Sequence, residues 1–189
     1  QIAKNNMEVL NMLNTKYFII PDQKGNLRVQ ENPDANGNVW FVSGLKSVSN
    51  ANQEIQALDS LQTKNEAVIN TNKFKIENQF EKDSTATIQL TKYDVTTLEY
   101  QSNTTKNQFA VFSEIYYKDG WNAYVDGKLT PHYRVNYVLR GMEIPAGNHT
   151  IEFKFEPTII KEGNTITLTS YFLLLMIPIG WFFYEKKKK

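Results

Sequence analysis

Between Asn164 and Tyr184 the chain carries no charged side chain, and Glu185 and four lysines, Lys186 to Lys189, follow at once. The central stretch, ITLTSYFLLLMIPIGWFFY from Ile166 to Tyr184, is 19 residues long. As a helix rising about 1.5 Å per residue it spans roughly 28 Å, close to the hydrocarbon thickness of a bilayer. Tyr171 near one end, and Trp181 and Tyr184 at the other, are the aromatics expected at a lipid–water boundary. Pro178 and Gly180 disfavour a soluble helix but are tolerated in a membrane span. A buried core helix is the alternative, and the lysine run argues against it. Basic residues flanking a span favour the cytoplasmic side. The sequence therefore predicts a transmembrane helix over 164–185 and a cytoplasmic tail over 186–189. Ile166, Trp181, Tyr184, Lys186 and Lys187 act as anchors, and residues 1–163 form a domain outside the cytoplasm. The expected setting is the bacterial cytoplasmic membrane, with the domain periplasmic if there is an outer membrane.

This segment also explains the charge. The whole chain of 189 residues is formally +1, yet without residues 185–189 it holds 17 basic and 19 acidic side chains. A body so balanced, with no basic block, has no footprint for nucleic acid. With 41% hydrophobic residues and 13% aromatic ones, it is too apolar for disorder. There is no cysteine. The domain must stand on its core alone, and thiol catalysis and thiolate metal sites are excluded. His132 and His149 are the only histidines, so a histidine-rich metal site is excluded too. The chain opens on Gln1 with no export signal, which a domain held by a C-terminal span requires. The expectation is the tail of a longer polypeptide.

The periodicity of residues 1–163 predicts a mainly β fold, an antiparallel β-sandwich of jelly-roll type with one or two short helices. Asn5 to Leu13 reads as a short helix with Val9, Leu10 and Leu13 on one face. Tyr17 to Ile20 and Leu27 to Gln30 read as strands separated by Gly25-Asn26, and Val39 to Val42 as another. Asn50 caps a helix over Ala51 to Gln62, with Gln53 reaching back and Ile55, Leu58 and Leu61 facing a sheet. Beyond Ala67 the pattern alternates. Phe74, Ile76 and Phe80 face one way, and Lys75, Glu77 and Gln79 the other. Ala86, Ile88 and Leu90 repeat the pattern. Phe109 to Tyr117 is apolar on both faces, as in a central strand. Trp121 to Val125, Tyr133 to Leu139 (continuing to Ile144) and His149 to Phe155 complete the set, with turns at Asp119-Gly120, Asp126-Gly127 and Pro145 to Asn148. Strands about ten residues apart with turn signals between them are the mark of a sandwich or barrel. Lys161 to Asn164 reads as a short linker.

No catalytic constellation stands out: there is no nucleophile elbow, zinc-protease helix or phosphate-binding loop. Asp119 and Asp126 flank Trp121 and Tyr124 as glycosidase carboxylates could, or are simply turn residues beside glycine. Tyr116 to Gly127 is dense in aromatics, and Arg134, Asn136, Tyr137 and Arg140 follow. Aromatic faces stack on sugars, and arginine binds hydroxyls and phosphates. This makes Trp121, Tyr124, Asp126, Arg134, Tyr137 and Arg140 candidate contacts for a saccharide or a partner. The alternative is a sandwich core with its arginines paired locally. Arg134 and Arg140 fall at even spacing, hence on one face if one strand carries both. His149 reads as a core histidine rather than a proton carrier.

The run from Ser113 and Glu114 through Tyr116, Tyr117, Gly120, Trp121, Tyr124, Asp126 and Gly127 resembles the C-terminal part of the bacterial membrane protein YfhO family. So do Arg134 to Gly141, the Ile144-Pro145-Ala146-Gly147 turn with His149 and Ile151 to Phe153, and the early Leu13-Asn14-Thr15-Lys16-Tyr17. The resemblance implies a large multi-span membrane protein similar to GT-C glycosyltransferases, using a polyprenyl-phosphate sugar donor to modify envelope polymers. Its catalytic aspartate would lie in N-terminal loops this chain lacks, so no catalytic residue or metal ligand is carried over. This fragment alone is then no enzyme and holds no cofactor of its own. Its implied role is an accessory domain that positions the acceptor or supports the membrane site. Its partners would be the lipid bilayer, the remaining transmembrane part of the polypeptide, and envelope glycan or other membrane proteins. A non-catalytic envelope scaffold and a membrane-anchored saccharide-binding module remain as alternatives.

Overall fold

The computed structural model describes residues 6–76, 80–81 and 83–188. The chain divides into two compact units, one ending at Phe155 and the other beginning at Glu156.

The first unit is mainly β. Helix α1 (Met7–Met12) starts at Asn6, whose side chain accepts from the Val9 N–H. It buries Val9, Asn11 and Met12, and Leu13 packs against the same core, so the predicted face is met at Val9 and Leu13 and extends to Met12 and Asn11. Strands β1 (Tyr17–Pro21) and β2 (Leu27–Glu31) form a hairpin sheet of their own, as their apolar runs predict. Its turn is held by Asp22, whose Oδ1 accepts from the N–H groups of Lys24 and Asn26.

Strands β3 (Val39–Val42), β4 (Gly44–Val48) and β5 (Glu66–Asn70) belong to a six-stranded sheet. Between β4 and β5 lies α2 (Ala51–Ala57), shorter than predicted. Asn50 caps it as expected, accepting from the Gln53 N–H at 2.9 Å. The Gln53 side chain reaches one residue further back, to the Ser49 N–H. Leu58 and Leu61 lie beyond the helix and are buried. A crossover through α2 makes β4 and β5 parallel, a departure from an all-antiparallel fold.

The alternation expected from Phe74 to Phe80 forms no strand over Phe74–Ile76, although Phe80 is buried in the core. The positions read as outward, Glu77 and Gln79, lie outside the described residues.

The remaining strands are β6 (Thr87–Tyr93), β7 (Thr97–Thr104), β8 (Gln108–Ile115), β9 (Trp121–Val125), β10 (Lys128–Thr130), β11 (Tyr133–Val135), β12 (Leu139–Ile144) and β13 (Gly147–Phe155). One sheet runs β10-β9-β13-β7-β6 and the other β3-β8-β12-β11-β5-β4. The second has its two edge strands joined by Ser43 alone, so it must curl. One core fills it with Trp40, Val42, Leu45, Phe109, Val111 and Val135, joined by Val9 and Met12 of α1. The other lies between the sheets, with Ala110, Phe112, Met142 and Ile144 facing Tyr100, Ala123, Ile151 and Phe153. Strand β8 feeds both, which is why its sequence is apolar on both faces. Each large side chain so buried contributes about 1.5–3 kcal/mol.

The predicted strand from Tyr133 to Leu139 is two strands. Asn136 and Tyr137 adopt φ of 50° and 73° and turn the chain back, so β11 and β12 pair antiparallel. Asn136 stands in for a strand residue. Its N–H donates to the Val68 carbonyl, and its Oδ1 accepts from the Val68 N–H.

The second unit is α3 (Thr158–Lys188), long and apolar enough to cross a membrane. The predicted linker Lys161 to Asn164 is part of it. Thr167, Thr169 and Ser170 donate their hydroxyls to carbonyls four residues back, so these polar groups need no water.

Candidate functional site

Of the six candidate contacts, Arg140 lies over Trp121 and Arg134 lies 5.6 Å over the Tyr137 ring, while Tyr124 and Asp126 meet other partners. Arg140 is almost fully buried. Its Nε donates to the Ile115 carbonyl at 3.0 Å, and its guanidinium lies 4.3 Å over Trp121 and 5.0 Å over Phe153. Trp121 therefore packs on core residues and on Phe155 rather than offering a free face. Tyr124 lies on the same strand with Lys154 5.1 Å above its ring.

Arg134 is the cross-strand partner of Arg140 and not its neighbour on one strand. Its Nη2 donates to Glu54 Oε2 at 2.7 Å, while Glu54 Oε1 accepts from the Tyr137 N–H at 3.1 Å. Glu54 is fully buried on α2. It pairs the arginine and holds the left-handed turn, and sequence reasoning missed it because it stands 80 residues away.

Asp126 occupies another turn, with φ of 49°. Its Oδ1 accepts from the Thr150 N–H, and its Oδ2 lies 2.6 Å from His149 Nδ1. His149 Nε2 meets the Ala146 carbonyl at 3.1 Å. Both oxygens can only accept when Asp126 is ionised, so the imidazolium satisfies the site best. The hydrogen bond to Asp126 raises the histidine's pKa, and the same bond lowers that of Asp126. His149 is thus a clasp between two turns, not a core residue.

The glycosidase arrangement fails on distance. Asp119 and Asp126 stand at opposite ends of β9, whose five residues span about 17 Å, beyond the roughly 5–9.5 Å that glycoside hydrolysis needs. Among the described residues no group of three or more acidic or histidine side chains could hold a metal.

What the fold does assemble is a groove of about 530 Å³ lined by Lys73, Phe74, Tyr116, Tyr117, Lys118, Asp119 and Arg134. Phe74 stands edge-on to Tyr116 and Tyr133, at 6.2 and 5.6 Å between ring centres. Burial raises the Tyr116 pKa. Glu54 pairs Arg134 and Asp119 lies 3.9 Å from Lys118, so with Lys73 the groove keeps a small positive excess over aromatic walls, which suits an anionic group. Of these residues Arg134 is a candidate contact from sequence and Asp119 a candidate glycosidase carboxylate. Tyr116 and Tyr117 lie in the aromatic run, Phe74 reads only as one apolar position of an alternating segment, and Lys73 carries no signal. Beside the groove, His132 packs between Tyr116 and Phe153 at 5.2 and 5.6 Å. Burial, with a smaller contribution from the charge of Arg140, lowers its pKa to about 4.

No curated protein and no solved structure matches the chain. The profile of the family described as bacterial membrane protein YfhO matches residues 35–167, from before β3 to the start of the apolar stretch of α3. This covers more than half of the chain, which therefore belongs to the bacterial membrane protein YfhO family.

Proposed function

We propose that this chain is the C-terminal module of a multi-span membrane protein that transfers sugar from a polyprenyl-phosphate carrier. In this reading the β unit lies outside the cytoplasm, α3 spans the membrane and the lysines end inside. The groove of Tyr116, Tyr117, Lys118 and Arg134 holds the saccharide or phosphate portion of a substrate. The observation that carries the reading is the family match, which runs through the sandwich and into α3. The groove adds the chemistry, pairing aromatic walls with cations.

The test is sugar transfer from a labelled polyprenyl-phosphate donor in membranes containing the full-length protein. Lys73→Ala removes an exposed lining side chain and leaves both cores intact. Transfer is expected to fall several-fold at unchanged protein level. Unchanged transfer rules out the groove, and absence of transfer by the unsubstituted protein across donors rules out the transferase reading.

A further inference from the structure

Strand registers fix which turns share an end of the β unit. Phe155 closes β13 opposite Trp121, and its N–H donates to the Thr96 carbonyl. The β6–β7 turn and the β8–β9 turn therefore lie at the end where the chain leaves for α3. The turns at the other end are Thr105 to Asn107, Asp126-Gly127 and Ala146-Gly147.

The two ends differ in chemistry. Apart from Leu129 on β10, the far end offers polar and small residues: Thr105, Lys106, Asn107, Asp126 and Lys128. The exit end exposes Val95 (86%), Tyr93 (70%), Ile115 (58%) and Tyr117 (52%). Lys92 and Lys118 stand beside them, paired with Glu99 and Asp119. The chain enters the β1–β2 hairpin at the same end. The Met12 carbonyl accepts from Ser113 Oγ, two residues before the end of β8, and Asn14 bonds Asn38. By register, one hairpin face carries Tyr17, Ile19, Pro21, Leu27 and Val29, all exposed, with Glu31 at its open end opposite Tyr17. Soluble surfaces rarely gather so many large apolar side chains in one region.

We infer that this end of the β unit rests in the boundary between lipid headgroups and acyl chains, with Val95, Ile115 and the hairpin face dipping into it. Only Glu156 and Pro157 separate β13 from α3, about 7 Å of extended chain, so this end is covalently tied to the membrane helix. Valine, isoleucine and tyrosine with lysines alongside are the composition such a boundary takes. The inference rests on α3 as a membrane span and not on sugar transfer.

The chain's lack of cysteine makes the test direct. Val95→Cys, Val29→Cys and, as the far-end control, Lys128→Cys each place one fluorophore on an exposed site of the full chain held in lipid nanodiscs. The label at Val95 and Val29 is expected to be quenched by nitroxide-bearing lipid and to resist aqueous iodide several-fold better than the label at Lys128. Iodide quenching equal to that at Lys128 overturns the inference. So does shielding from both quenchers, which means protein covers the surface. Failure of the chain to enter nanodiscs overturns both the span and this inference, while failed sugar transfer bears on neither.

Discussion

His132 makes the stability of the β unit sensitive to acid. Its ring is enclosed by Tyr116 and Phe153, its Nε2 has no hydrogen-bond partner, and Arg140 lies near. Burial, and then that guanidinium, lower its pKa from 6.5 to about 4. The unfolded chain then binds a proton more readily than the fold below pH 6.5, so stability is lost as pH falls through that range. Linkage between 6.5 and about 4 gives about 3 kcal/mol at full protonation and about 2 kcal/mol at pH 5. The ring is partly rather than wholly enclosed, so about 2 kcal/mol is a ceiling at pH 5.

Other groups move differently. His149, with its pKa raised, contributes stability that is complete below 6.5 and lost as pH rises through its folded value. Glu114, raised by burial, also favours the fold as pH falls. Asp22, Glu81, Asp83 and Asp126 have lowered values, so their contribution is lost only below the ordinary carboxylate range. The clean quantity is therefore the difference between the native chain and His132→Phe, which keeps the aromatic contacts and removes the titration. Urea midpoints from tryptophan fluorescence in detergent, at pH 7 and pH 5, measure it. The native chain should lose up to about 2 kcal/mol more than the variant between the two. An equal loss in both refutes the reasoning.

Two further substitutions test the packing. Glu54→Ala strands the Arg134 guanidinium and the Tyr137 N–H and should cost about 3 kcal/mol in urea denaturation at pH 7. Glu54→Gln should cost less, because it still accepts from the backbone, and a change under about 1 kcal/mol for the alanine variant would sink this account. Gly141→Ala places a methyl 2.6 and 2.7 Å from two atoms of the buried Phe109 ring and 3.1 Å from Val135. It should lower stability by about 1–3 kcal/mol, and an unchanged melting temperature would show that the ring moves freely.

The sequence shows most clearly what depends on near neighbours. The charge-free stretch ending in lysines marks α3, the two-faced apolar run marks β8, and Asn50 with Gln53 marks the start of α2. Each is a local pattern with a local cause. The hairpin turn between β11 and β12 is different. Asn136 and Tyr137 include no glycine or proline, and their positive φ is held by Glu54 and Val68, far away in the chain. Reading through it made one strand of two and placed Arg134 and Arg140 on it together. The candidate contacts divide for the same reason. The six residues were close in sequence, yet β9 carries its ends to opposite turns and Arg140 turns into the core. The groove needs Lys73 and Phe74 beside Tyr116 and Tyr117, a pairing that only the fold creates.

The groove and the apolar end bear on each other. Tyr117 belongs to both, and Lys118 follows it in the same turn between β8 and β9. On the proposed function, a sugar carried on a lipid phosphate would bring its charged group to headgroup level, where Lys73 and Lys118 would meet it. Tyr117 therefore cannot separate substrate contact from lipid contact. Lys73 lines the groove without belonging to the exposed apolar set, and Val95 belongs to that set without lining the groove. A loss of transfer at Lys73 with Val95 still in lipid assigns the chemistry to the groove. A loss that follows the depth of Val95 instead assigns it to how the β unit is held against the bilayer.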